Sequence, residues 1–200
     1  MYNIKQESIV KIDYLKYWEL GINYSSYKLN VIIDLETNQD PQKIEFIKLN
    51  QSRMKRVDKT FQITDRLSKV IHTLKKKKLW LMISENWCGD ASQNLPVFNK
   101  IAELSEGMIE LRIVYRDRNP TLMDAHLTNK TRSIPKLIQL DENFNVTGIW
   151  GSRPMEAQEL TKVLKENPLT ADTYATELHA WYARNKSMAL QEEILQLLSY

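Results

Sequence analysis

Leu79-Trp80-Leu81-Met82-Ile83-Ser84, running directly into Glu85-Asn86-Trp87-Cys88-Gly89-Asp90-Ala91, is the stretch on which the fold turns. A short and almost wholly apolar run is the signature of a strand buried on both faces, in a sheet covered by helices above and below. Asn86–Gly89 breaks the run, and Leu95–Leu104 continues as a helix that contains Pro96. Trp87–Ala91 therefore lies between the end of a buried strand and the start of a helix.

Downstream, Ile109–Tyr115 (IELRIVY) alternates as a strand does. Pro120–Leu127 reads as a short helix, Leu137–Leu140 as a strand, and the polar turn Asp141–Asn145 leads into a strand at Val146–Trp150. Pro154–Lys165 is a helix with proline at its start. This order predicts a mixed sheet, with a parallel crossover first and an antiparallel hairpin after it. The last region, 171–198, is helical through Tyr174, Leu178, Trp181, Leu190, Ile194 and Leu197, with Asn185–Ser187 as a division within it.

Upstream, Leu67, Val70, Ile71 and Leu74 are spaced i, i+3, i+4, i+7 and give one apolar helical stripe. Lys75–Lys78 follow at its C-terminus, where positive charge complements the helix dipole. The first sixty residues read as helical. Ile9, Ile12, Leu15 and Leu20 form a turn set ended by Gly21. Tyr24, Tyr27, Val31, Ile32 and Leu35 recur at the helical period behind a possible Asn23 N-cap, while the alternation of Leu29, Val31 and Ile33 leaves a strand open. Pro41 suits the first turn of a helix reaching about Val57, whose Lys48, Arg53, Lys55 and Arg56 read as a solvated face.

Two hundred residues, 42% hydrophobic and 26% charged, describe a globular chain able to bury its own core. A formal net charge of +3 is too weak to point to nucleic acid. No apolar run approaches the roughly 18 residues of a membrane span. The opening residues carry no apolar signal core and no small-residue cleavage site. The expectation is a cytoplasmic protein with neither a nucleic-acid nor a membrane partner. One cysteine excludes an internal disulfide, a CxxC pair and a zinc site of several thiolates. The histidines 72, 126 and 179 stand at no metal-ligand spacing, and the five glycines form no phosphate-binding loop. No metal or cofactor is expected.

Cys88 carries whatever chemistry the chain has. A helix N-terminus presents free N–H groups and partial positive charge, which stabilise a thiolate. Gly89 permits close approach of a partner chain or ligand, whereas the Asp90 carboxylate disfavours a second negative charge beside it. A small inert core thiol is the other reading of the same position.

Several linked spacings sharpen this. Pro96 lies eight residues after Cys88, Arg132-Ser133-Ile134-Pro135 places a proline 47 residues after it, and Gly151 follows that proline by sixteen. In these features the chain resembles the thioredoxin superfamily over about 67–165. The flanking segments 50–60, 150–154 and 180–186 resemble a thioredoxin-like family with a helical N-terminal extension. The resemblance implies an α/β thioredoxin-like fold, a mixed central sheet flanked by helices, with helical extensions at both ends. The corresponding division is 1–63, a helical extension; 64–167, the thioredoxin-like core; and 168–200, a C-terminal helical region packed on it. It also implies a cis Ile134–Pro135 bond in contact with Cys88, and a binding surface of Trp87, Gly89, Asp90, Ser133, Ile134, Pro135, Trp150, Gly151 and Arg153. Arg132 and Arg153 would then favour an acidic partner or the carboxylates of glutathione.

The departures bear equally on function. Ala91 stands where the family has its resolving cysteine, Met82 where it has a buried proton-transferring acid, and Ser84 where it has a tryptophan. One thiol can attack a disulfide but cannot resolve the mixed disulfide it forms. Two functions remain open. One is a monothiol redox protein, with Cys88 catalytic and forming mixed disulfides with glutathione or protein thiols, including a sulfenic-acid sensor as a variant. The other is an inactive thioredoxin-fold binding or scaffold module. The monothiol glutaredoxins share the first logic, but their CGFS signature is replaced by Cys88-Gly89-Asp90-Ala91. A partly exposed Cys88 is expected of the redox reading, and a buried one of the scaffold reading.

Overall fold

The structure, a computed structural model, describes residues 11–199. Helix α1 (Tyr14–Leu20) is capped by the Asp13 side chain and ends at Gly21, and α2 (Tyr24–Thr37) by Asn23, whose Oδ1 accepts from Ser26 N. With that cap made and Tyr24, Tyr27 and Val31 buried on one face, the strand reading of 29–33 gives way to a helix. Ile9 lies outside the described residues. Of the turn set around it, Leu15 and Leu20 are exposed and Tyr17 is the buried member of α1, a correction to the expected stripe. Pro41 opens α3 (Pro41–Thr60), and Thr64 caps α4 (Asp65–His72).

The central strand β1 (Lys78–Ser84) is buried along its whole length because it has strands on both sides and helices on both faces. Lys78 belongs to this strand rather than to the helix end before it. After β1 come α5 (Gly89–Leu104), β2 (Ile109–Tyr115), α6 (Pro120–Asp124), β3 (Lys136–Leu140), β4 (Val146–Gly151), α7 (Met155–Glu166), α8 (Tyr174–Asn185) and α9 (Met188–Leu198). The sheet has four strands in the order β2-β1-β3-β4. β1 and β2 are parallel, while β3 runs antiparallel to both β1 and β4. Outside β2, Ile22 exchanges both backbone hydrogen bonds with Ile113 at 2.9 and 2.8 Å, which partly covers that edge.

Alternating side chains divide the core. Trp80 and Met82 join Tyr27, Phe98, Trp150 and the buried face of α9 on one side of the sheet. Leu79, Leu81 and Ile83 join Cys88, Ile134 and Ile138 on the other. No helix among the described residues is long and apolar enough to cross a membrane.

Candidate functional site

The turn between β1 and α5 puts Cys88 at the N-cap of α5, where its Sγ accepts the Ala91 N–H at 3.4 Å. The same Sγ donates to the Ile134 carbonyl oxygen at 3.3 Å, across 46 residues of chain. The Ile134–Pro135 peptide is cis. Cys88 is only 7% exposed, so the partly exposed thiol of the redox expectation is not what the fold provides. Burial, reinforced by the neighbouring Asp90 carboxylate, pushes the thiol pKa up to about 12, against the weaker pull of the Ala91 and Asp90 N–H groups. At neutral pH the sulfur is a thiol.

Asp90 is drawn inward. Arg153 Nη2 and Nε donate to its Oδ2 at 2.5 and 3.1 Å, and the Tyr182 hydroxyl donates to Oδ1 at 2.7 Å. Asn94 Nδ2 donates to both the Asp90 carbonyl and the Tyr182 oxygen, so the carboxylate's partners are themselves held. Burial pushes the Asp90 carboxyl up, and Arg153 and Tyr182 work against it.

Gly89 was expected to admit a partner chain. Instead the approach is taken by this chain: a Cβ built there would stand 2.9 Å from His179 Nε2 and 3.4 Å from Arg53 Nη1. Arg53 and Arg56 are half-buried and face this turn, correcting the solvated-face reading of α3. Arg56 Nη2 donates to Gln93 Oε1 at 2.7 Å, and Gln93 Nε2 lies 3.1 Å from His179 Nδ1. Asn50 joins α3 to the same turn, donating to the Asn86 carbonyl and accepting from Arg53.

The remaining expected contacts are distributed differently. Ile134 lies against Cys88, Pro135 is buried next to it in sequence, and Ser133 Oγ is 2.7 Å from Thr131 Oγ1. Trp150 is mostly buried, packed edge-on against Phe98 with Nε1 donating to Glu193 at 2.5 Å, and with Gly151 and Arg153 it lines a cleft of about 710 Å³ beside β4 and α9. Gly151 has φ +123°, and a Cβ there would collide with the Pro135 carbonyl oxygen, so its glycine is demanded by the backbone. Arg132 is held by Asp124 and Arg153 by Asp90, so neither guanidinium stands ready for an outside carboxylate in the expected way. Trp87, Gly89, Asp90 and Arg153 do line one space: a cleft of about 440 Å³ walled by α3 and α8. Sequence reasoning missed Arg53, His179 and Tyr182. The available signal was the i, i+3, i+4, i+7 set Phe46, Leu49, Asn50 and Arg53, which turns one face of α3 to the cleft.

The family model described as Thioredoxin matches residues 37–166. The chain belongs to the thioredoxin family. Among solved structures, this thioredoxin-family chain is similar to a protein of unknown function from Pseudomonas aeruginosa, with a TM-score of 0.63 at 18% identity, over 94% of this chain and 98% of that one. It is similar to an HIV epitope scaffold with a TM-score of 0.63 at 16% identity, again over 94% and 98% of the two chains. Likeness at these identities extends to the thioredoxin-like fold alone. No curated protein matches the chain.

Proposed function

We propose that this thioredoxin-family protein is a binding module without redox turnover, its helical extensions closing over the turn that holds Cys88. The burial of the Cys88 thiol against the Ile134 carbonyl carries this reading. A thiol with a pKa near 12 is almost wholly protonated at neutral pH, and the thiolate is the attacking species. Ala91 supplies no second thiol, and Met82 no proton acceptor. The ligand face is the cleft over Gly89, roofed by helices that flank the fold's central sheet. A lone unpaired cysteine fits a reducing compartment, and the cytoplasm is the setting we assign.

A second reading is a monothiol oxidoreductase forming mixed disulfides with glutathione or protein thiols. One observation favours it: Cys88 retains the N-cap position with the Ala91 N–H directed at its sulfur, beside the cis Ile134–Pro135 bond. Incubation of the native chain with oxidised glutathione, read by intact mass, separates the two. The binding-module reading expects no adduct on the folded protein and a full adduct on the unfolded one. A stoichiometric native-state adduct carries the monothiol reading instead.

A further inference from the structure

We propose that the cleft between α3, α8 and the 87–90 turn binds a small organic monocarboxylate with an aromatic or branched apolar body, its carboxylate held between Arg53 and His179. This rests on the reading of the chain as a binding module and names that module's ligand class. The cleft's volume, about 440 Å³, falls in the range of small-molecule sites. None of Ser133, Ile134 or Pro135 lines it, so it is separate from the surface beside the cis proline.

Its chemistry is two-sided. Phe46 and Leu49 from α3 face Trp87, Tyr174 and Leu178, giving apolar walls. Phe46 and Leu49 are 49% and 48% exposed, so apolar surface is left in water where an apolar body would cover it. The base of the cleft is cationic. Arg153 is neutralised by Asp90, but Arg53 has no carboxylate within ion-pair distance among the described residues, and its Nη1 donates to neutral Asn50. Arg56, bonded to Gln93, stands outside the cleft lining, so one guanidinium of that lining is left to be matched, which suits a single negative charge. A phosphate dianion would carry a second charge into a partly buried site whose lining holds no second unpaired cation.

His179 is set up as a donor. Arg56 can only donate, so the Gln93 oxygen faces Arg56 and its amide nitrogen faces His179 Nδ1. Nδ1 must then accept, which puts the ring proton of neutral His179 on Nε2, the atom nearest Gly89. A Cβ on Gly89 would also stand 3.4 Å from Arg53 Nη1, so the bare glycine lets both donors close in over one point at the cleft floor, beside which a carboxylate meets them.

Three probes titrated into the full chain and followed by NMR test this: 3-phenylpropionate, its neutral primary amide, and inorganic phosphate. The carboxylate should bind saturably, with the amide and phosphate at least roughly tenfold weaker, as expected for loss of one charge-assisted hydrogen bond. The His179 ring signals should move with saturation. Arg53→Gln and, independently, Gly89→Ala should each weaken the carboxylate by about tenfold while the unfolding midpoint shows the chain folded. Absence of saturable carboxylate binding, equal binding of phosphate, or binding that both variants leave unchanged overturns the proposal. Failure here with Cys88 still inert to oxidised glutathione leaves the binding-module reading standing. A glutathione adduct with carboxylate binding intact overturns that reading alone.

Discussion

The Tyr182 hydroxyl donates to Asp90 Oδ1 at 2.7 Å, joining the C-terminal helical region to the residue two places after Cys88 across 92 residues of sequence. Through this bond, α8 holds the carboxylate that in turn helps to keep the thiol protonated. Extension and turn are one polar unit.

Tyr182→Phe removes a donor from a buried carboxylate and leaves Asn94 Nδ2 without its hydroxyl acceptor. Hydrogen bonds to charged groups contribute about 1.5–3 kcal/mol, and a loss of that size is expected. Urea unfolding of the variant against the wild type measures it. An unchanged midpoint would show that the bond does not restrain Asp90.

Asp90→Asn takes away the negative charge nearest Cys88 while leaving the Arg153 guanidinium in place. The lost repulsion and the retained guanidinium both favour a thiolate. The ultraviolet thiolate absorbance of the folded chain, followed against pH, should therefore rise at lower pH in the variant. A profile that stays put would mean burial alone sets the thiol's state.

His126 and His179 are both held neutral, with pKa values lowered to about 4: burial with Lys136 nearby accounts for the first, burial with Arg53, Arg153 and Arg56 for the second. A histidine whose folded pKa lies below its unfolded value, about 6.5, contributes stability that is present above 6.5 and lost as pH falls toward 4. Glu85 and Asp90, raised by burial, act in the opposite sense, so the comparison of interest is between variants. Between pH 7 and pH 5 the wild type should lose on the order of 1 kcal/mol per histidine, and His126→Gln and His179→Gln should each flatten that slope. Chemical unfolding at the two pH values reads the difference.

Truncation after Leu169 removes Leu190, Ile194, Leu195, Leu197 and Leu198, all buried in the core cluster that includes Trp80 and Phe98. At about 1.5–3 kcal/mol for each buried side chain, the loss matches or exceeds the roughly 5–15 kcal/mol that holds a domain folded. The truncated chain should be insoluble or lack a cooperative transition by circular dichroism. A cooperative transition near the full-length midpoint would mean that α9 is detachable.

The fold was legible where one local pattern spoke without competition. Ile109–Tyr115 alternates cleanly and forms β2 with those bounds, and the apolar run at 79–84 is the central strand. At 29–33 periods of two and 3.6 overlapped, and the Asn23 cap with its buried tyrosines decided for the helix. The site was harder for a different reason. Cys88, Gly89 and Pro135 stood out by spacing, but Arg53 and Arg56 on a charged helix look like solvated groups until α3 is laid along α5. His179 and Tyr182 reach the turn from 86 to 92 residues away, and no local periodicity encodes such pairings.

The rate of iodoacetamide modification of native Cys88 at pH 7.5, compared with the global unfolding rate of the same protein, tests the central claim most directly. A thiol pinned between Ala91 N–H and the Ile134 carbonyl should react only as fast as the chain unfolds, with full modification in denaturant. Modification of the folded chain at the rate of a free thiol would contradict the account and return Cys88 to redox chemistry.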